Sequence, residues 1–275
     1  MLTPTLLALG SAALHATWNL LIKTSEDRLL AAWGQFLVGG LVFVPLLVVV
    51  DPPGAEALPF LLGSSLVHVV YIVALTSAYA HGDFSVTYPL ARGGGALIAA
   101  GGGVLFLGDA LSGWAWLAIA IVVGGLASLA RRDVATAALA WAGLTAATIG
   151  VYTTLDIEGA RRSSGLGYGI VLVLGAGIAL TTLLLATGRG GEMRPAVRAD
   201  WRRYLVGGAC ATVAYSMVLA AGRLAPVGYV AALRESSVVL GAAAGWLLLH
   251  ERLGRHRLGS SAVVAAGLVL LIVWR

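Results

Sequence analysis

Two charged side chains lie next to each other inside a long apolar run of this 275-residue chain. Arg234 and Glu235 fall in the stretch VAALRESSVVLG, which begins at residue 230. Neighbouring residues of a helix point about 100° apart, so these two charges cannot pair well with each other. Each therefore needs a polar group on another helix, cavity water or a bound solute.

Arg92 is a third charge within an apolar run, in the stretch YPLARGGGALIAAGGG. A guanidinium can bind a carboxylate through two parallel hydrogen bonds, so Arg92 and Arg234 are predicted to recognise an anionic group. Glu235 would then take a solute amine or a coupling proton. The alternative is that these charges join helices or lie at a water-filled mouth, because charges inside apolar spans always face a partner or a cavity.

The first apolar run places polar side chains at helical spacing. His15, Asn19 and Lys23 follow one another at four-residue intervals, and Trp18 lies on the same face. Such a stripe suits a cavity lining rather than a lipid-facing surface. We expect His15, Trp18 and Asn19 to contact solute, with His15 also a possible proton carrier because it titrates near neutral pH. Lys23 suits an anchor at the membrane interface. Hydrogen bonds to neighbouring helices are the alternative role for His15 and Asn19.

Tyrosines recur in the interior of several apolar runs. Buried hydroxyls need partners, so these residues are predicted to shape a polar, aromatic pocket or to bond helices together. They are Tyr71, Tyr79, Tyr88, Tyr152 and Tyr215. Asp156 closes the sixth run and is a further candidate for proton coupling, beside Glu235 and His15. Its alternative role is an ion pair with Arg161 or Arg162.

The composition requires a membrane to solvate these runs. The chain is 59% hydrophobic and only 11% charged, about half the charged share of a soluble domain. Ten apolar segments, each long enough to cross a bilayer as a helix, are predicted. They lie at about 3–23, 29–50, 57–79, 85–107, 111–129, 137–155, 165–187, 202–220, 226–249 and 257–274. The one long connection is 188–203. We therefore predict an all-α polytopic membrane protein.

The sequence also repeats itself. The stretch from Gly82 matches the stretch from Leu224 at a constant offset, which places Arg92 opposite Arg234. The predicted halves are residues 1–132 and 133–275, with five helices each. Because five is odd, the halves must lie in opposite orientations, an arrangement typical of secondary transporters that bind solute between the halves.

Small residues recur at four-residue spacing in the fourth and ninth segments. Such rows let helices approach closely, so these two helices are predicted to pack tightly, on each other or on neighbours. The residues are Gly95, Ala99 and Gly103, and Gly241 and Gly245.

Several functions find no support in the sequence. It contains no metal-binding motif, no phosphate-binding loop and no nucleophile elbow, so we expect no cofactor, no metal and no enzymatic activity. The formal net charge of +5 is explained by basic residues that flank membrane spans rather than by nucleic-acid binding.

These motifs resemble the ten-helix, EamA-like branch of the drug/metabolite transporter superfamily. The resemblance rests on residues 88–112, on their partner 230–254 and on HATWNLLIK at 15–23. It implies a permease for small metabolites such as amino acids, in a bacterial inner membrane, with a central cavity lined by the first, third and fourth helices of each half. We expect a small polar or zwitterionic solute and the bilayer as partners, with a coupling proton as a further candidate. A flippase for a lipid-linked headgroup, a non-transporting receptor subunit and, less favoured, a membrane-embedded enzyme are the alternatives.

The basic residues predict an orientation that differs from the one the resemblance implies. One side of the predicted spans would hold twelve Lys and Arg residues: Lys23, Arg28, Arg131, Arg132, Arg189, Arg194, Arg198, Arg202, Arg203, Arg252, Arg255 and Arg257. The other would hold Arg161, Arg162, Arg223 and Arg275. The excess of positive charge on the cytoplasmic side places both termini outside the cytoplasm, whereas the family resemblance implies termini inside.

A topology reporter fused after Arg275 distinguishes the two orientations. If the charge distribution decides, alkaline phosphatase at this position will be active and green fluorescent protein dark. The reverse result would place the C-terminus in the cytoplasm, as the resemblance implies.

Overall fold

The computed structural model describes residues 1–81, 84–128, 135–240 and 255–273, and these residues are helical almost throughout, with no β-strand among them. The α-helices are α1 (Leu2–Lys23), α2 (Arg28–Phe43), α3 (Leu58–His81), α4 (Phe84–Leu107), α5 (Gly113–Ser128), α6 (Thr136–Arg161), α7 (Gly165–Ala186), α8 (Gly190–Gly222), α9 (Val227–Arg234) and α10 (Arg255–Val273). The 3-10 helices Val44–Val48 and Ala55–Ala57 connect α2 to α3, and residues 236–240 are helical again after a turn at Glu235.

Seven helical segments in the described parts of the chain are long and apolar enough to cross a membrane. They are Leu2–Lys23, Arg28–Val48, Ala55–His81, Leu90–Leu107, Thr136–Arg161, Gly165–Ala186 and Gly190–Gly222. Gly113–Ser128 and Ala262–Val273 are apolar but shorter. Large apolar side chains such as Leu105 and Phe106 are more than three-quarters exposed, as expected of surfaces that face lipid. The chain is therefore a multi-pass integral membrane protein, and the count of ten spans remains a prediction.

The eighth helix begins earlier than the sequence predicts. The prediction assigned residues 188–203 to a connection, whereas α8 starts at Gly190 and continues through a kink at Asp200. Met193, Ala196 and Val197 pack against the core cluster around Trp18. Their i, i+3, i+4 spacing gives this Arg-rich stretch one apolar face, which is enough to hold it helical.

The ninth apolar segment is interrupted where it carries its charges. α9 ends at Arg234, and the Glu235 amide donates to the carbonyl of Ala232 rather than to a residue four positions back. The Val238 amide in turn donates to the carbonyl of Glu235. This tight turn gives a break in the predicted span 226–249, of which residues 241–249 lie outside the described chain.

Helices from the two predicted halves pack against each other. α1 lies against α8 and α3 against α6, while α2 contacts α7, α4 contacts α9, and α5 contacts α10. The small residues of α4 lie against two different helices. Gly95 faces Ile149 of α6, whereas Gly103 faces Val227 at the start of α9, and Ala99 is fully buried. Gly241 and Gly245 lie outside the described residues.

The loop after α4 ties the start of α9 in place. The Asp109 carboxylate accepts hydrogen bonds from the Arg161 Nη2, at 2.7 Å, and from the backbone nitrogen of Val227, at 2.6 Å. Asp109 thereby joins the loop after α4 to the end of α6 and to the first turn of α9. A carboxylate at a helix N-terminus is also favoured by the helix dipole.

A second charged contact joins two other loops. Asp27 caps α2 by accepting from the Leu30 amide and pairs with Arg189, which precedes α8. Burial raises the pKa of Asp27, but these hydrogen bonds outweigh burial and hold the pKa below its ordinary value. The start of α2 is therefore fixed to the start of α8.

Gly103→Leu is expected to destabilise the protein, because a Cβ at this position would lie 2.7 Å from Asp109 Oδ2 and 2.9 Å from Val227 Cβ. Overpacking of this kind typically costs about 1–3 kcal/mol. The matched control is Gly101→Leu on the same helix, where the added Cβ would meet no described atom within 4 Å apart from its chain neighbours and the nearby backbone of α4. Thermal unfolding of the detergent-solubilised variants measures the difference, and equal midpoints for both variants would contradict the tight α4–α9 contact.

Candidate functional site

A cavity with about 450 Å³ of empty space, measured out to its mouth, lies between helices of both predicted halves. Its wall includes five aromatic side chains: Trp18, Phe36, Tyr71, Tyr152 and Tyr215. Its polar groups include the side chains of His15, His68 and Arg234.

Arg234 supplies a positive charge to this cavity. It ends α9 and is only 4% exposed. Its guanidinium carbon lies 5.6 Å from the centre of the Tyr215 ring, and its Nη2 lies 3.5 Å from the His15 Nδ1. The Arg234 Nε is buried and has no hydrogen-bond partner among the described residues. A buried guanidinium N–H without an acceptor is costly, so this group is suited to receive an anionic oxygen from a solute.

Arg92 and Glu235 neutralise each other. The Arg92 Nη2 lies 2.7 Å from Glu235 Oε1, and the Arg92 Nε lies 3.2 Å from Oε2. Both side chains are only 3% exposed, and neither lines the cavity. The two arginines that the repeat places in equivalent positions thus have different surroundings: Arg92 holds a protein carboxylate, whereas Arg234 faces the cavity.

The polar stripe of α1 is linked internally. The Trp18 Nε1 donates to the His15 Nδ1 at 3.2 Å, and the Asn19 amide donates to the His15 carbonyl at 2.9 Å. His15 and Trp18 line the cavity, while Asn19 is buried outside its lining. Because Trp18 and Arg234 both direct N–H groups at the His15 Nδ1, that nitrogen must be unprotonated in this arrangement.

The tyrosines separate into two groups. Tyr71, Tyr152 and Tyr215 line the cavity, whereas Tyr79 and Tyr88 do not. Tyr88 belongs to a core cluster with residues of α5, α9 and α10, and Tyr79 packs both against that cluster and against the one around Trp18. The first three surround His68, whose ring lies 4.2 Å from that of Tyr152 at an angle of 31°.

Sequence reasoning did not single out His68. Its spacing could have identified it, because His68 lies three residues before Tyr71 and therefore shares a helix face with that tyrosine. His68 is 5% exposed, and its Nδ1 lies 2.9 Å from the carbonyl of Ser64.

Asp156 does not pair with Arg161 or Arg162, which corrects one of the two roles expected for it. Arg161 binds Asp109 and Arg162 binds Glu158 instead. α6 continues to Arg161, so Asp156 lies within the bundle rather than at its surface, and it is fully buried. Its Oδ1 accepts from the Tyr168 hydroxyl at 3.1 Å, and its Oδ2 accepts from the Tyr215 hydroxyl. Tyr215 therefore connects Asp156 to the cavity wall.

The described residues contain no cluster of His, Cys, Asp and Glu side chains that could hold a metal ion. What they bring together is one open guanidinium, two imidazoles and a ring of aromatic side chains. Such a set can bind a small anionic or zwitterionic molecule, because the guanidinium holds its charge and the rings hold its apolar part.

The chain is similar to known proteins at two levels. The sequence model of the EamA-like transporter family matches residues 136–273. Twenty-seven chains of solved structures match as well. One of these, described only as "Crystal structure of protein", superposes with a TM-score of 0.76 over 99% of each chain at 13% sequence identity, which is a likeness of fold alone. No curated protein matches the sequence.

The family match covers half of the chain, including α9 with Arg234 and α6 with Asp156. Together with the apolar helices, it identifies the protein as a member of the EamA-like transporter family, within the drug/metabolite transporter superfamily.

Proposed function

We propose that the protein is a secondary transporter that carries a small solute bearing a carboxylate, such as an amino acid or a related zwitterion, through the central cavity by alternating access. The observation that carries this proposal is the open guanidinium of Arg234 at the wall of an aromatic cavity. The solute carboxylate would accept hydrogen bonds from the Arg234 guanidinium, whose Nε has no partner among the described residues.

The aromatic wall suits the remainder of such a solute. Tyr71, Tyr152 and Trp18 offer ring faces to an apolar side chain or to an ammonium group. Glu235 is not assigned to the solute amine, because Arg92 already holds both of its oxygens. Recognition therefore rests on one cation and several rings.

The helix arrangement supports alternating access. In the two predicted halves, residues 1–132 and 133–275, the first helix of one packs against the third helix of the other in both directions: α1 with α8, and α6 with α3. Reciprocal contacts of this kind are expected of two halves related by a pseudo-two-fold axis, as inverted five-helix repeats are. The cavity, lined by α1, α2 and α3 of one half and by α6, α7, α8 and α9 of the other, would then open to each side in turn, in the inner membrane of a bacterium.

Thermal-shift measurements on the purified protein test the solute class. The panel contains amino acids, each paired with the amine that lacks its carboxylate, together with sugars and phosphonates. We expect the amino acids to raise the unfolding temperature and their decarboxylated amines to leave it unchanged, because the amines offer nothing to Arg234. Stabilisation by the amines alone would overturn the assignment of a carboxylate.

Arg234→Gln is expected to weaken binding of the stabilising amino acid roughly 10- to 150-fold, since a hydrogen bond to a charged group contributes about 1.5–3 kcal/mol. The control is Arg223→Gln, which changes an exposed arginine in the loop before α9. Titration calorimetry gives both dissociation constants. Wild-type affinity in Arg234→Gln would show that the anion binds elsewhere.

A further inference from the structure

We propose that Asp156 is the proton-coupling group of this carrier and that one proton enters with each solute carboxylate. This inference rests on the proposed function. It concerns a carboxylate that lies behind the cavity wall and that solute recognition does not use.

The other two candidates for proton coupling are occupied. Glu235 is held through both oxygens by Arg92. The His15 Nδ1 receives the Trp18 N–H and faces Arg234, whose positive charge opposes a second positive charge on the imidazole. Asp156 differs from both, because within the described residues it forms hydrogen bonds but no ion pair.

The groups that face Asp156 are neutral or already paired, with one exception. α7 contributes Tyr168 and α8 contributes Tyr215, both as hydroxyl donors. α3 presents Ser64 and, one turn further, His68, while Tyr152 lies one turn away on α6 itself. The charged groups of α4 and of the turn after α9 are Arg92 and Glu235, which hold each other, and α4 also carries the neutral phenol of Tyr88. The exception is Arg234 of α9, which acts on Asp156 at a distance.

Arg234 and Asp156 are linked through one residue. The Arg234 guanidinium lies over the Tyr215 ring, and the hydroxyl of that ring donates to Asp156. When Arg234 is unoccupied, its positive charge favours the charged form of the Asp156 carboxylate. When a solute carboxylate binds Arg234, the positive charge of Arg234 is neutralised. The ionised form of the Asp156 carboxylate is then stabilised less.

Binding of the anion therefore favours uptake of a proton, and the reverse holds by linkage. The proton binds one carboxylate oxygen of Asp156, and the Tyr168 and Tyr215 hydroxyls can rotate to hydrogen bond the neutral acid. The carboxylate and the proton together add no net charge to the cavity. The proton leaves with the solute on the other side, so the step involves no covalent bond other than O–H and no redox change.

Infrared difference spectroscopy on the reconstituted protein tests the titration without any solute. We expect the C=O stretch of a protonated carboxyl group to grow as the pH falls in the wild type and to be missing from Asp156→Asn. Glu158→Gln, which changes an acid near the end of the same helix that pairs with Arg162, should leave this band in place. A wild-type difference spectrum that is unaltered in Asp156→Asn would overturn the proposal.

Tyr168→Phe provides a second variant that keeps the acid. Tyr168 does not line the cavity, and its loss removes a donor that favours the ionised carboxylate. The C=O band is therefore expected to appear at a higher pH than in the wild type. An unchanged titration midpoint would argue against Asp156 as the group observed.

Transport in proteoliposomes separates this inference from the proposed function. The probe is a ¹⁴C-labelled mixture of the common L-amino acids. Wild-type vesicles should exchange internal for external amino acids and should accumulate them when an inward proton gradient is imposed. Asp156→Asn should still exchange but should lose accumulation, because exchange needs no net movement of protons.

Two results distinguish a failure of the proton-coupling proposal from a failure of the proposed transport function. Accumulation by Asp156→Asn at the wild-type level would disprove proton coupling through this residue and leave the transporter assignment intact. Absence of exchange in wild-type vesicles would count against the amino-acid assignment, while the infrared titration would continue to test Asp156.

Discussion

The site depends on the ion pair between Arg92 and Glu235. A charge inside a bundle that faces lipid must find a partner, because the surroundings do not solvate it. The two-point contact satisfies both oxygens of Glu235 and joins α4 to the turn after α9. By occupying the acid next to Arg234, it leaves that arginine without an ion pair among the residues that the structure describes. The positive character of the cavity therefore follows from a contact outside it.

The predicted repeat bears on the different surroundings of its two equivalent arginines. Arg92 and Arg234 occupy equivalent positions, but Gly93 follows the first and Glu235 follows the second. One acid can neutralise one arginine, and the geometry gives it to Arg92, across the α4–α9 contact. If Gly followed both arginines, neither guanidinium group would have this acid as a partner. If Glu followed both, each guanidinium group could have one. One acid present after Arg234 and missing after Arg92 thus gives Arg92 an ion pair and leaves Arg234 with none among the described residues.

The sequence predicted the helices better than the contacts between them. Run length and composition identify apolar helices because lipid imposes both locally, and the spacing of His15 and Trp18 correctly indicated a shared face. The partners of Glu235 and Asp156 could not be derived this way, since Arg92 is 143 residues from Glu235 and Tyr215 is 59 residues from Asp156. The helical stretch of α8 before the kink at Asp200 was not predicted, because this Arg-rich amphipathic segment has low hydropathy. His68 was overlooked among the more conspicuous tyrosines.

The Asp109 contact at the start of α9 has a mechanical consequence. α9 is eight residues long and has a contact near each end. At its start, Asp109 in the loop after α4 accepts a hydrogen bond from the Val227 amide, and just past its end, Arg92 of α4 pairs with Glu235. A short helix held at two points cannot tilt independently of the helix that holds it. α4 and α9 should then travel as one stiff body that crosses the boundary between the predicted halves. Bending during a transport cycle would be confined to the joints around this body, and the tight turn at Glu235 is the nearest of them.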